Sequence, residues 1–381
     1  MNQRIDYLYA AFSGFLLILI FPTVSLSLVA WIALVPLLIV LPGKDFRSAG
    51  KLGFVTGFIY FYGVLYWLNV LAKFEIVMIP ATVVLVAILA IYVSAFAILF
   101  TWLLQKYPNG IWWLTPIIWT TLEYIRELGP LGFPWGLIGY SQAPNLKLIQ
   151  ICSITGVLGI SFLVILMNGL IAQFTIEWKR DSRVYRKTLS EFVILFLLLG
   201  LIYIYGTGRI NQLPSNSIGF TAGIVQGNIP QMMKWDPEIA DENFQKHIEL
   251  SKELIKQKPQ LIVWPETAIT DIFSENESYQ NQLIDFASTY QVNLLCGTLD
   301  GNIDENQFYN AVYLIQPNGS ISQKYYKTHL VPFGEYLPLE SVFPSQRYFA
   351  VSYIRKGHYC ANSLFFKVGD VVKVIEILWQ F

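Results

Sequence analysis

The segment Leu261-Ile-Val-Trp-Pro-Glu-Thr267 decides the fold of the second half of the chain, because a short apolar run ends there in a proline and a carboxylate. A run this short, rich in branched residues, predicts a buried β-strand. Pro265 cannot donate to a strand ladder, so the strand should end there and present Glu266 at its carboxyl edge. Open α/β sheets build their sites at this edge, although a loop glutamate is more often only solvated.

The sequence around this segment alternates between strand and helix patterns. Two further apolar runs, 218–225 and 292–297, predict strands, and two amphipathic stretches, 237–256 and 278–288, predict helices. Pro317, Asn318 and Gly319 separate the runs 311–316 and 321–326 and predict a hairpin. This pattern predicts an α/β domain with a mixed sheet over residues 211–381.

The first half of the chain predicts a polytopic α-helical membrane domain over residues 1–210. Hydrophobic residues make up 54% of the 381 residues and charged residues only 14%, which is far from the composition of a soluble globule. Apolar runs of roughly 17–25 residues can cross the ~30 Å hydrocarbon core as helices. We predict about seven spans: 8–22, 25–41, 52–70, 76–104, 111–125, 148–174 and 189–205.

Basic residues in two connections predict the orientation of these spans. Lys and Arg near helix ends are retained in the cytoplasm. The connections after the second and sixth spans carry Lys44, Arg47, Lys51, Lys179, Arg180, Arg183, Arg186 and Lys187. An N-terminus inside the cell satisfies both connections, and seven spans then place the α/β domain outside. By the same count Arg126 and Lys147 lie on the translocated side.

Charge and cysteine content exclude several other classes of protein. A net charge of zero, without a basic stripe carrying aromatics, gives no reason to expect nucleic-acid binding. The three cysteines show no metal-ligand spacing and no disulfide framework.

Two more segments carry residues of types that act in catalysis or substrate binding. Lys327 ends the second strand of the predicted hairpin, and the following loop reads Thr328-His-Leu-Val-Pro-Phe-Gly-Glu335. Lys327 is open to the reading of an ordinary surface lysine. Upstream, Gln226-Gly-Asn-Ile-Pro-Gln-Met-Met-Lys-Trp235 ends in a tryptophan that could be a core residue, an anchor at the bilayer surface or a lid contact.

Taken in order, these segments resemble the apolipoprotein N-acyltransferase family of the nitrilase superfamily. The resemblance rests on Gln226-Gly-Asn-Ile-Pro-Gln231, Trp264-Pro-Glu-Thr267 and Leu330-Val-Pro-Phe-Gly-Glu335 after the membrane spans, and covers nearly the whole chain. Gly132-Phe-Pro-Trp-Gly-Leu-Ile-Gly-Tyr-Ser141 also matches a family loop that lies beside the active site at the membrane surface.

The resemblance implies a two-step acyl transfer in the bacterial inner membrane, with the soluble domain in the periplasm and no cofactor. A cysteine thiolate takes an acyl chain from a phospholipid as a thioester. The α-amine of a diacylglyceryl-cysteine lipoprotein then displaces it.

Site residues follow from the same resemblance. Glu266 would be the general base, helped by a pKa raised through burial. Lys327 would stabilise each oxyanion and Glu335 would support the site. Arg126, Trp135 and Trp235 would bind substrate, Arg126 through the donor phosphate.

The C-terminal sequence departs from the family pattern. The family nucleophile belongs to an Ile-Cys-Tyr-Glu-like motif downstream of the region matching 357–367, whereas this chain reads Val371-Val-Lys-Val-Ile-Glu-Ile-Leu-Trp-Gln-Phe381. Cys360 precedes the expected strand and Cys296 lies in a predicted buried strand. We therefore expect an incomplete nitrilase-like αββα sandwich without the family cysteine, and little activity. A non-catalytic phospholipid- or lipoprotein-binding membrane protein is the alternative, and a membrane amidase of the superfamily a third.

Overall fold

The structure is a computed structural model that describes residues 3–22, 24–73, 78–129, 131–180, 185–212, 220–302 and 307–330. Glu335, Cys360 and the segment 371–381 lie outside these residues. The chain divides into two compact units, Met1–Ser215 and Asn216–Phe381.

The regular secondary structure in the described part of the first unit is entirely helical. Its α-helices are α1 Gln3–Leu19, α2 Val35–Val40, α3 Phe46–Leu65, α4 Met78–Lys106, α5 Ile111–Glu127, α6 Leu146–Ile149, α7 Cys152–Arg180 and α8 Tyr185–Asn211. Short 3-10 helices cover Ser27–Trp31, Tyr66–Lys73 and Ile138–Gln142. The helical character predicted for this half of the chain is confirmed.

Four helical segments among the described residues are long and apolar enough to cross a membrane: Phe46–Val70, Ile79–Lys106, Cys152–Trp178 and Thr188–Asn211. The other three predicted spans are shorter. Helices α1 and α5 have 17 residues each, or about 25 Å of rise, and the second predicted span is divided between a 3-10 helix and the six residues of α2. The count of seven spans stays a prediction.

Glycines allow α3 and α4 to pack closely. A Cβ atom on Gly53 would lie 2.7 Å from the Cβ of Ala97, and one on Gly57 would lie 2.9 Å from the Cα of Ala90. Small residues at such spacing are common where membrane helices meet. They let the two backbones approach closely, and the close approach adds dispersion contacts between the helices. Helix α3 begins after Asp45, whose carboxylate accepts the Ser48 N–H at 2.9 Å.

Among the four long apolar segments, the one in helix α8 is the least buried. Of the residues in its most apolar 18-residue stretch 17% are buried, compared with 50% in the corresponding stretch of α7. Its exposed side chains are large and apolar: Val193, Ile194, Phe196, Leu197, Leu201 and Ile204.

The second unit contains the mixed sheet predicted for this half of the chain. Its strands are β1 Ala222–Ile224, β2 Leu261–Val263, β3 Ile269–Ile272, β4 Asn293–Asn302, β5 Gln307–Ile315 and β6 Ile321–Tyr326. The order is β1-β2-β4-β5-β6, with β3 also paired to β4. Strands β1, β2 and β4 are parallel, whereas β4, β5 and β6 are antiparallel. The sequence did not predict β3.

A short helix, α9, covers Gln231–Lys234, and two longer amphipathic helices cover the apolar core of this sheet. Helix α10, Ala240–Ile255, buries Phe244, His247, Ile248 and Ser251 along one face, at helical spacing. Helix α11, Glu277–Tyr290, buries Tyr279, Leu283, Phe286 and Ala287. Both faces join a core with Trp264, Leu294 and Cys296. The complete αββα sandwich stays a prediction.

Candidate active site

Glu266 lies where the predicted strand end puts it, two residues past a buried tryptophan. Trp264 continues the parallel ladder of β2 by donating its backbone N–H to Leu295 O at 2.8 Å, and its indole N–H donates to Ser251 Oγ at 2.8 Å. The chain then turns away from the sheet at Pro265. The Glu266 side chain is 61% exposed, so its carboxylate can meet a substrate.

A glycine in the neighbouring strand makes room for this turn. A Cβ atom on Gly297 would overlap the Pro265 carbonyl oxygen and would lie 2.8 Å from the Cα of Glu266. The main chain of the Glu266 turn therefore rests directly on β4.

Lys327 meets Glu266 across the sheet. It follows β6 directly, and its backbone N–H donates to Asn310 O at 2.8 Å. Its Nζ lies 3.0 Å from Glu266 Oε1, and the Asn310 side-chain amide donates to the same oxygen. The structure thus brings together Glu266 and Lys327, the two residues that the sequence singled out. Asn310, which the sequence did not single out, contacts both of them. Only the position of a polar residue beside the apolar run 311–316 could have indicated Asn310.

The pKa of Glu266 is lowered, which corrects the expectation that burial would raise it. Burial is the largest single influence and does raise the pKa of this carboxyl. The hydrogen bonds from Lys327 and Asn310 and the charges of Lys327 and Lys234 together outweigh it. The carboxylate is held ionised rather than neutral.

Lys234 and Trp235 lie beside the same turn. Lys234 Nζ donates to Glu266 O at 3.1 Å and to Thr267 Oγ1 at 2.7 Å. Trp235 packs against a small apolar cluster with Leu299, Leu330 and Phe308. The sequence singled out Trp235 but not its neighbour, because a lysine before an aromatic residue carries no signal of its own.

A buried carboxylate supports the strands next to Lys327. Asp300 Oδ2 on β4 accepts hydrogen bonds from the hydroxyls of Tyr313 at 2.7 Å and Tyr326 at 2.5 Å, and from Lys324 Nζ at 3.3 Å. Burial would raise the pKa of Asp300, but these bonds, one from Ser274 and the charge of Lys324 lower it. Cross-strand register brings these side chains together, and the sequence alone did not show it.

Cys296, the cysteine among the described residues of the second unit, is not placed to act as the nucleophile of this site. Cys296 is fully buried in the core, and burial raises the pKa of its thiol. Gly297 faces the Glu266 turn, so the preceding residue points to the opposite face of the sheet. Cys152 belongs to the first unit, at the start of α7.

The residues expected to bind the acyl donor lie in the first unit. Arg126 is only 4% exposed, its Cζ lies 4.9 Å from the Phe61 ring centroid, and its Nη2 donates to Gly136 O at 3.3 Å. The Tyr60 hydroxyl donates to the same oxygen. Trp135 is exposed and stacks against Trp67 and Phe133, at centroid distances of 5.2 and 5.4 Å. The exposed fraction of Arg126 is therefore smaller than expected for a charged side chain at an open entrance.

Side chains from three helices hold the loop that carries Trp135. Besides the two bonds to Gly136 O, Glu123 Oε1 accepts the Ile138 N–H at 2.9 Å and Ser161 Oγ accepts the Gly139 N–H at 2.9 Å. Gly136 has a φ of +75°, which a residue with a side chain rarely adopts.

Comparison with known proteins connects both units to one family. Residues 13–170 match a family model described as the apolipoprotein N-acyltransferase N-terminal domain, and residues 221–370 match one described as carbon-nitrogen hydrolase. An apolipoprotein N-acyltransferase of Geobacter metallireducens is 35% identical over 352 residues, which cover 90% of this chain and 66% of that protein. The chain belongs to the apolipoprotein N-acyltransferase family.

Other apolipoprotein N-acyltransferases are also similar in sequence, and these relatives are longer than this chain. The one from Rickettsia prowazekii is 31% identical over 318 residues, 81% of this chain and 62% of that protein. The chain therefore spans slightly less than two thirds of the curated relatives that it matches. A solved carbon-nitrogen hydrolase from Helicobacter pylori G27 is also similar, with 17% identity, a TM-score of 0.26 and coverage of 40% of this chain and 45% of that one.

Proposed function

We propose that this member of the apolipoprotein N-acyltransferase family serves in the transfer of an acyl chain from a phospholipid to the α-amine of a diacylglyceryl-cysteine lipoprotein. The observation that carries the proposal is the contact of Glu266 with Lys327 at the sheet edge, 3.0 Å between Oε1 and Nζ, in a chain of that family. A base and a cation at one edge are what two successive acyl transfers require.

In the first step a thiol loses its proton to Glu266, and the thiolate attacks the ester carbonyl of the phospholipid. Lys327 stabilises the tetrahedral oxyanion. The intermediate then collapses to a thioester, and the proton on Glu266 passes to the departing lysophospholipid hydroxyl. In the second step the lipoprotein amine attacks the thioester and Glu266 accepts the amine proton. The C–S bond breaks as the amide forms, and Glu266 passes that proton to the departing thiolate, which restores the thiol and the carboxylate.

The lowered pKa of Glu266 suits the role of base, because the carboxylate is ionised and ready to accept a proton near neutral pH. We assign to Glu335 the support of this site. The proposal assigns the thiol to neither Cys152 nor Cys296, the cysteines of the described residues, and places it on a cysteine outside those residues. Within the described residues, the proposal therefore assigns Glu266 as the base and Lys327 as the oxyanion stabiliser.

We assign substrate contacts to Arg126, Trp135 and Trp235. Trp135 is exposed and aromatic, as suits a contact with lipid near the bilayer surface. The Arg126 Cζ lies 4.9 Å from the Phe61 ring centroid, and a guanidinium is a group that attracts an anionic headgroup. The proposed partners are a phospholipid donor and a lipoprotein acceptor, both held in a membrane.

For location we propose the bacterial inner membrane, crossed seven times from a cytoplasmic N-terminus, with the second unit in the periplasm. The basic connections support this orientation. A Ser274→Cys variant tests it, because Ser274 is exposed on the second unit. A membrane-impermeant maleimide should label it from the periplasmic side in whole cells, and labelling only in inverted vesicles would refute the orientation.

The direct test of function is formation of a thioester on the full chain. Membranes that contain the chain are incubated with a phospholipid carrying an alkyne-tagged acyl chain, and hydroxylamine-sensitive label is measured on the protein. Glu266→Gln is compared with Glu249→Gln, a change at an exposed glutamate of α10.

Label on the parent chain and on Glu249→Gln, but not on Glu266→Gln, supports the proposal. No label on any of them refutes acyl transfer by this chain and favours a role in binding phospholipid or lipoprotein without catalysis.

A further inference from the structure

The turn that carries Glu266 has an unfavourable backbone conformation. Thr267 has a φ of +47°. A β-branched residue in the left-handed region is a steric outlier, and such conformations persist only where the surroundings hold them. The strain is next to the proposed base, so whatever holds Thr267 also sets the direction of the Glu266 side chain.

Lys234 is the side chain that holds both residues of this turn. Its Nζ donates to Glu266 O at 3.1 Å and to Thr267 Oγ1 at 2.7 Å. Its ammonium group thus joins a backbone atom of one residue to the side chain of the other. These contacts are made on the main chain of the turn, whereas Lys327 and Asn310 contact the carboxylate.

The segment that carries Lys234 is itself fixed at two points. Asn243 on α10 donates its side-chain amide to Met233 O at 3.1 Å. Trp235 packs against the small apolar cluster that contains Leu330, three residues beyond Lys327. Residues 233–235 therefore connect the loop of the proposed base with the loop of the proposed oxyanion stabiliser.

We propose that Lys234 is a positioning residue that clamps the strained Glu266–Thr267 turn and so keeps the Glu266 carboxylate within reach of Lys327. This inference rests on the proposed function for the roles of Glu266 and Lys327. The clamp itself is a property of the folded chain and can be measured without acyl transfer.

The placement of Lys234 beside Glu266 also affects the pKa values of both groups. Burial lowers the pKa of Lys234, and the nearby Glu266 acts against this. The groups that face the pair are Lys327 and Asn310 at the carboxylate and His247 on α10, whose pKa burial lowers so that it adds little charge. The charge of Lys234 thus helps to lower the pKa of Glu266.

Zero-length crosslinking tests the clamp on the full chain in membranes. A carbodiimide activates the Glu266 carboxyl, the Lys327 amine attacks it, an amide bond forms between them and a urea departs. Mass spectrometry of the digest then gives the yield of the Glu266–Lys327 crosslink. The variants are Lys234→Met, Lys234→Arg and, as a matched control, Lys252→Met at an exposed lysine of α10.

We expect Lys234→Met to lower the crosslink yield several-fold, Lys234→Arg to keep most of it because a charged donor remains, and Lys252→Met to leave it unchanged. Adding Thr267→Gly to Lys234→Met should restore much of the yield, since glycine adopts a positive φ without strain. This double variant separates the loss of a clamp from general unfolding.

An unchanged yield in Lys234→Met would overturn the proposal, as would a loss in Lys234→Arg as large as that in Lys234→Met. Failure of Thr267→Gly to restore the yield would overturn the role in holding strain. A crosslink that depends on Lys234 in a chain that forms no thioester would refute the proposed function alone.

Discussion

Lys327 Nζ lies 3.0 Å from Glu266 Oε1, although 61 residues separate them in the chain. Four strands, β3 to β6, intervene along the sequence between them, and the antiparallel hairpin β5–β6 returns the chain to the edge where β2 ends. The contact therefore depends on the register of the whole sheet rather than on any local segment.

Replacing Lys327 with methionine should lower the rate of thioester formation by about 10²–10³-fold, the usual effect of removing one oxyanion stabiliser. The substitution keeps the length of the side chain and removes its charge. The measurement is the initial rate with a tagged phospholipid. Lys324→Met is the control, because Lys324 belongs to the neighbouring Asp300 network instead, and an equal loss there would contradict the assignment.

Replacing Asn310 with leucine should move the acid limb of acyl transfer to higher pH. The Asn310 amide is one of the groups that lower the pKa of Glu266, so its removal raises that pKa and the base becomes protonated at a less acidic pH. The pH of half-maximal rate measures the effect. An unchanged or lowered midpoint would show that another group controls the titration.

Replacing Gly297 with alanine should displace the Glu266 turn, because the new Cβ would lie 2.8 Å from the Cα of Glu266. We expect a loss of the Glu266–Lys327 crosslink and a cost in stability of about 1–3 kcal/mol. Gly200→Ala on α8 is the matched control, since nothing lies within 4 Å of its added Cβ. A normal crosslink in Gly297→Ala would contradict the close packing described for this turn.

Replacing Asp300 with alanine should destabilise strands β4 to β6 by about 2–4 kcal/mol, because the buried Tyr313 hydroxyl and the partly buried Tyr326 hydroxyl lose their acceptor. Faster amide hydrogen exchange in these strands is the readout, and Asp285→Ala on the exposed side of α11 is the control.

The pH dependence of the same network follows from the lowered pKa of Asp300 in the folded chain. Its contribution to stability is present above the pKa of an unfolded aspartate and is lost as pH falls through the lower folded value. In Asp300→Ala this acid-dependent loss should disappear. Retention of the full loss would assign it to other carboxylates.

Replacing Glu123 with alanine should loosen the loop that carries Trp135. The Ile138 N–H would lose its acceptor in a buried place, at a cost of about 1–3 kcal/mol. Glu123→Gln keeps an acceptor oxygen and should be tolerated. Thermal stability and hydrogen exchange at the loop compare the two, and equal effects would show that the carboxylate charge matters rather than the bond.

The sequence predicted Glu266 and Lys327 because each follows a strand with a clear apolar pattern and matches a family motif. Asn310, Lys234 and Asp300 were missed because their partners are distant in sequence, and only the strand register and the fold of residues 231–235 bring them together. Strand β3 was missed because four residues, Ile269–Ile272, carry too little pattern. The direction of the pKa shift of Glu266 depends on Lys327, Asn310 and Lys234, of which the sequence singled out only Lys327.

The spans show a similar division between pattern and context. Hydropathy identified the four long helices, and it also marked the run 25–41, where the structure has a 3-10 helix before α2. Pro36 at the start of α2 suits a first helical turn and opposes a continuous helix through this run.

The sparse packing of α8 makes the bilayer itself a structural component of the first unit. The 24 residues of Thr188–Asn211 rise about 36 Å, more than the ~30 Å of an average hydrocarbon core. Such a helix tilts, or the surrounding lipid thickens, to keep its apolar surface covered. Lipids of different chain length should therefore change the tilt of α8 more than that of the better buried α7, and detergents that cover this surface poorly should loosen α8 before the rest of the unit.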